Sequence, residues 1–270
     1  MKEGDRVDKT NSGEESTDTG RTEQSSVQSK LRTATIAFGL GILGYFSTII
    51  WTIPFREAHE LYSITPTYST NIMINLLSIV LGAITFGAIV FHYSDKDIEY
   101  IDLSIPDRRD RIIIVLGTVA LLLSIYLMSI VTSVFETTSS EHTMRVASRG
   151  VINPNFALML VPLSFLAIAP AEEFIFRNVV QKWLYSDFTK IGAVFLASVV
   201  FTLVHIPAYA TGTVAQLLLS LLHVMMLSVI LGSAYAWSEN LMMPILLHGA
   251  YNAAIYLEWY LQLAFGMRIW

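Results

Sequence analysis

Three short clusters in the C-terminal half hold the side chains best suited to chemistry: Glu172-Glu173-Phe174-Ile175-Phe176-Arg177, Phe201-Thr202-Leu203-Val204-His205 and His248-Gly249-Ala250-Tyr251-Asn252. Each lies inside an apolar stretch. An ionisable group at membrane depth is costly, so it marks a functional site by default. Glu173 and Arg177 are four apart with the acid first, the favoured order for a helical ion pair. Glu172 sits about 100° round the helix from Glu173, so one acid can be tied to Arg177 while the other faces a cavity. Pro170 can open a helical turn here, which would put both acids near a helix N-terminus. Phe201 and His205 share one helix face, and so do His248 and Asn252. Gly249, Ala250, Ala253 and Ala254 are small enough to let a neighbouring helix approach.

Taken singly, each cluster reads equally well as packing: a lone His or Asn glues helices, and a lone Glu–Arg pair ties one. Together, two imidazoles, an amide and an unpaired carboxylate on three helices are the inventory of a hydrolytic site. Peptide hydrolysis needs a nucleophile, a base, an acid for the leaving amine and donors for the oxyanion. No Ser or Cys is paired with a base, so water is the expected nucleophile. Glu172, in an apolar cavity, can take its proton. His205 can share the water and pass the proton on. His248 and Asn252 can aim two donors at one oxyanion. Zinc is the rival within the same chemistry, held by Glu172, His205 and His248 with one position open. The H-E-x-x-H spacing is absent, so metal-free water activation ranks first and no cofactor is expected. His223 reads as packing, and Glu258 has no evident partner.

The elements that must position these groups follow from composition. Of 270 residues, 53% are hydrophobic and only 14% charged, and mean hydropathy is +0.54. A soluble domain has about 25% charged residues, so an ordinary cytosolic enzyme is excluded. A balance of 17 Lys+Arg against 22 Asp+Glu with no basic stripe disfavours nucleic-acid binding, and no nucleic-acid partner is expected. Zero Cys excludes disulfides, thiolate metal sites and Cys nucleophiles. Residues 1–30 are polar and read as a disordered tail; residues 31–270 read as an integral membrane helical domain. A span takes roughly 20 apolar residues. About seven stretches qualify, six to eight allowing for error: Thr33–Ile53, Asn71–Tyr93, Ile112–Phe135, Phe156–Tyr185, Ile191–Ile206, Val214–Trp237 and Leu241–Phe265. The fourth is interrupted by Pro162 and Pro170 and reads as one kinked helix or two pieces. The expected fold is an all-α polytopic bundle.

Lys and Arg near the spans set orientation. With the N-terminus inside, eight fall on the cytoplasmic side (Lys30, Arg32, Lys96, Arg108, Arg109, Arg111, Lys182, Lys190) and four outside (Arg56, Arg145, Arg149, Arg268). This favours a multi-pass protein of the cell membrane with a cytoplasmic N-terminus. No internal repeat is visible, which weakens a proton-coupled transporter reading.

The motifs E-E-x-x-x-R, F-x-x-x-H and H-x-x-x-N, in this order on successive apolar segments, resemble the CAAX-protease and bacteriocin-processing (abortive-infection) family of intramembrane endopeptidases. The resemblance covers roughly Phe156 to Phe265. It implies a membrane bundle with a cavity open to the cytoplasmic side, and a peptide bond hydrolysed by activated water. It implies that Glu172 activates the water, that His205 assists, that His248 and Asn252 form an oxyanion hole, and that Glu173 and Arg177 are structural. The family is described both with zinc and with a glutamate mechanism. The implied partners are membrane lipid and a prenylated or membrane-associated peptide or protein. The other readings are a non-enzymatic scaffold or bacteriocin-immunity protein and, behind it, the transporter.

Overall fold

The computed structural model of the chain describes residues 12–63, 65, 67–94, 96–147 and 153–267, with side chains from residue 24 onward. The described residues form helices and connections with no strand. In chain order the helices are α1 (Ser12–Ile50), α2 (Thr52–Leu61), α3 (Tyr68–Tyr93), α4 (Arg108–Val134), the short α5 (Thr143–Ala147), α6 (Pro154–Leu184), α7 (Lys190–Val204), the single turn α8 (Ile206–Tyr209), α9 (Val214–Ser238) and α10 (Met242–Phe265). All seven apolar stretches are therefore helical. Five regions are long and apolar enough to cross a membrane: Gln24–Leu61, α3, α4, α6 and α9. With only 15 residues, α7 is short for a full crossing. Their outer faces remain apolar: Leu116, Leu122 and Leu123 on α4 are each more than half exposed. Such a continuous apolar belt fits lipid. The protein is an integral multi-pass membrane protein.

Residues 1–11 of the polar tail lie outside the described residues. From Ser12 the chain is helical and continuous with α1. Extending a helix already anchored by its apolar part needs no new nucleus. Asp187, in the α6–α7 connection, also holds this part of the chain, accepting from Ser29 Oγ at 2.7 Å and Thr33 Oγ1 at 2.6 Å. Those hydroxyls, Thr33 first, keep the Asp187 carboxyl below its ordinary range.

α6 is the central element. Its residues Ala171, Ile175, Phe176, Val179 and Val180 pack with α1, α3 and α7 in one cluster, while Phe156, Leu160 and Ile168 pack with α3 and α10 in another. It is one continuous helix, so Pro170 opens no new N-terminus and the two acids sit mid-helix. The prolines act instead on helix geometry. Pro170 has no N–H to give to the preceding turn, and the turn before it, Ser164–Ile168, widens to π-helix. A second wide stretch, Phe174–Gln181, follows the acids. Wide turns of this kind recur at functional sites. Here they bring Arg177, Asn178 and Gln181, all with no exposed surface, into reach of neighbouring elements.

One end of the bundle is closed by the connection between α3 and α4. Asp102 accepts from Tyr235 Oη at 2.5 Å and Lys182 Nζ at 2.8 Å. Asp102 N–H donates to Asn178 Oδ1 at 3.1 Å, and Ser104 N–H to Asn240 Oδ1 at 3.2 Å. Asp107 and Asp110 cap α4 reciprocally. This strap fixes the ends of α6, α9 and α10 against one another.

Candidate active site

Residues 172 and 173 share α6 but not surroundings. The Glu173 side chain is wholly buried. Its Oε2 accepts from Arg177 Nε at 2.9 Å, and its Oε1 accepts from His248 Nδ1 at 2.7 Å. Arg177 goes on to donate from Nη2 to Ser228 Oγ of α9 at 3.0 Å, and its guanidinium lies 5.2 Å from the Phe201 ring centre. A buried charge of this kind is stable only when paired and hydrogen-bonded. The tie thus links α6, α7, α9 and α10 around one carboxylate. Ser228 was invisible as a partner in the sequence, because a single Ser in an apolar helix carries no directional signal.

Glu172 is about one-fifth exposed and makes no direct side-chain hydrogen bond among the described residues. Its Oε2 lies 3.8 Å from His205 Nε2 and 4.0 Å from His248 Nε2. Both separations are too long for a hydrogen bond and suit a shared water. The tautomers follow from the partners. His205 Nδ1 lies 2.7 Å from the Phe201 carbonyl, which can only accept, so Nδ1 carries the proton. His248 Nδ1 faces the Glu173 carboxylate and carries a proton for the same reason. In the neutral rings both Nε2 atoms are therefore acceptors, turned toward Glu172. His205 owes its placement to the end of α7: the helix stops at Val204, and Pro207 begins the single turn of α8.

A cavity of about 60 Å³, room for water, is lined by His205, His248 and Asn252 together with Tyr209, Tyr251 and apolar residues of α4 and α9. Asn252 faces it one turn beyond His248. Gly249 permits the approach of α10 to α6, since a Cβ there would stand 2.4 Å from the Phe165 ring. Glu172 Oε2 thus stands near both imidazoles, and Asn252 lines the cavity with His205 and His248. Tyr209 was missed. It follows His205 by four residues, but the break at Pro207 hid that they share a face.

His223 and Glu258 do not join this cavity. His223 Nε2 lies 3.4 Å from Ser124 Oγ, and its ring packs edge-on against Tyr251. Glu258 has a partner after all, Arg145 Nη1 at 3.3 Å, and Arg145 also bonds Gln262. These three line a second, polar cavity of about 490 Å³ at the end opposite the α3–α4 strap. The His142 ring lies edge-on to Tyr209 with centres 5.3 Å apart.

Among the described residues no group of three or more His, Asp or Glu meets the spacing of a metal site. The donor types of Glu172, His205 and His248 would suit zinc, and their Nδ1 partners are those of metal-binding imidazoles. The spacing does not fit. Two ligands of a tetrahedral zinc at about 2.0–2.1 Å stand about 3.3 Å apart, and the Glu172 oxygen is 3.8 and 4.0 Å from the two nitrogens.

No curated protein and no solved structure matches the chain. Residues 154–254 match the family model for type II CAAX prenyl endopeptidase, Rce1-like. That stretch runs from the start of α6 past Asn252 and holds every convergent side chain described above. Over these 101 of its 270 residues the chain is similar to that family.

Proposed function

We propose that the protein is an intramembrane endopeptidase that hydrolyses a peptide bond with a water held between Glu172, His205 and His248, without a metal. The observation that carries this reading is the single carboxylate oxygen of Glu172 standing one water's reach from two Nε2 atoms. Glu172 takes a proton from that water as its oxygen attacks the substrate carbonyl. His205 Nε2, an acceptor in its neutral form, orients the water and relays the proton to the leaving amine. Asn252 donates to the oxyanion, and His248 does so when it carries a second proton at Nε2. Glu173 and Arg177 fix the ring of His248 and touch no substrate. The substrate is a prenylated or membrane-associated peptide or protein, in keeping with the family.

With the N-terminus and the α3–α4 connection on the cytoplasmic side, the 490 Å³ cavity opens outward.

The test is cleavage of prenylated and unprenylated membrane-anchored peptides by purified protein in nanodiscs, with elemental analysis of the active fraction. Glu172→Gln should lower kcat about 10²–10⁴-fold with an unchanged unfolding midpoint. Full activity in that variant removes Glu172 from the mechanism, and stoichiometric zinc in active protein removes the metal-free route.

A further inference from the structure

The neutral state of the site is short of one donor. Stabilising an oxyanion takes hydrogen-bond donors aimed at one point. Asn252 offers one. His248 has committed Nδ1 to Glu173, so its Nε2 accepts unless the ring gains a second proton. His205 has committed Nδ1 to the Phe201 carbonyl in the same way.

Two tyrosines also line the cavity: Tyr251, whose ring packs edge-on against His223, and Tyr209. Tyr209 shares its wall with His205, His248 and Asn252. The chain is built to hold the ring and leave the hydroxyl open. Pro207 starts the α8 turn, and Ala208 N–H donates to His205 O at 3.0 Å, which brings Tyr209 back onto the face of His205. The His142 ring packs edge-on behind it. Thr211 Oγ1 donates to Glu141 O at 2.6 Å, tying the segment after Tyr209 to the one that carries His142. The Tyr209 hydroxyl has no hydrogen-bonding partner among the described residues, nor does it count among the buried polar atoms sealed from solvent. A tyrosine so enclosed ordinarily finds a partner for its hydroxyl.

We propose that Tyr209 is a catalytic residue of this site, its hydroxyl donating a hydrogen bond to the oxygen of the tetrahedral intermediate alongside Asn252. The inference rests on the endopeptidase reading. No proton is transferred in this step: the phenol keeps its hydrogen while charge builds on the carbonyl oxygen and drains on collapse. Burial, with Glu172 nearby, pushes the phenol up to about 12, so the donor persists into alkaline conditions. The donor is neutral, so it serves whichever charge state His248 occupies.

Tyr209→Phe removes only the hydroxyl. The expected result is a kcat about 10²-fold lower, the cost of one oxyanion donor, with KM within about twofold and an unchanged unfolding midpoint. A phosphonate analogue of the tetrahedral intermediate should lose affinity by a similar factor, while an uncleaved substrate peptide should bind as before; a purely structural tyrosine would not separate the two ligands. Wild-type kcat in Tyr209→Phe, or equal losses for both ligands, overturns the assignment. If wild-type protein cleaves and Glu172→Gln does not, such a result counts against Tyr209 alone. If wild-type protein cleaves no membrane-anchored peptide, both readings fall together.

Discussion

Glu172 and Glu173 are consecutive residues of one helix, and they have opposite fates. Around Glu173 the polar groups close on one another: Arg177, Ser228 and His248 each spend a hydrogen bond there, and the carboxylate has no exposed surface. Around Glu172 they stay open. Its neighbours stand 3.8 and 4.0 Å away, and Asn252 and Tyr209 face the same small cavity. A closed polar cluster in a low-dielectric interior is rigid and holds a geometry. An open one holds water and can react. The closed layer thus serves as the frame for the open one, with His248 as the shared member, one nitrogen in each.

The sharpest way to break this contrast is to open the closed layer. Glu173→Gln leaves the Arg177 guanidinium buried without its carboxylate, and about 3–5 kcal/mol of stability should go with it. Thermal or denaturant unfolding in mixed micelles would read this, and a variant as stable as wild type would mean the tie frames nothing. Replacing both partners at once, Glu173→Met with Arg177→Leu, should cost less than Glu173→Gln alone, because no unpaired charge remains. That ordering separates a desolvation cost from a loss of attraction. Activity should still fall in the double variant, since His248 loses the acceptor that orients it. Ser228→Ala is gentler: Arg177 keeps Glu173 and loses one charged hydrogen bond, an expected loss of about 1.5–3 kcal/mol.

The smallest effect lies at His142, behind Tyr209, and appears only in acid. His142 accepts the Met144 N–H at Nδ1, 3.1 Å, which requires an unprotonated nitrogen. Burial, then the nearby His205, pushes this imidazole down from 6.5 to about 4. Between those values the unfolded chain holds the proton and the folded chain does not, so stability falls as pH drops from 6.5 toward 4. Above 6.5 the contribution is complete. His142→Asn keeps a cap acceptor and lacks the titration, so its unfolding midpoint should fall less over that window. Parallel curves for the two proteins would exclude His142 as the source.

Much of the site was legible because helical spacing is local. The i, i+4 relations of Glu173 with Arg177 and of His248 with Asn252 need no knowledge of the neighbours. The apolar stretches were legible because lipid demands them. Three features were not. The helical state of residues 12–30 depends on the anchored α1 beyond them. The continuity of α6 through Pro170 depends on π-turns that packing supports. Glu258 found Arg145, 113 positions earlier in the chain, by a contact that no spacing encodes.

The sequence by itself determined that the chain is a helical membrane bundle and that an acid, two imidazoles and an amide lie within apolar helices. It did so because the cost of charge in lipid and the period of the helix act residue by residue. The tertiary structure alone decided which histidine nitrogen carries the proton, since that is set by whichever acceptor each ring meets: the Phe201 carbonyl for His205, and Glu173, from another helix, for His248. It also decided that Glu172 stands partly open beside two imidazoles while Glu173 is sealed against a cation, because interhelical distances of a few ångströms follow from how whole helices pack and not from the order of residues along any one of them.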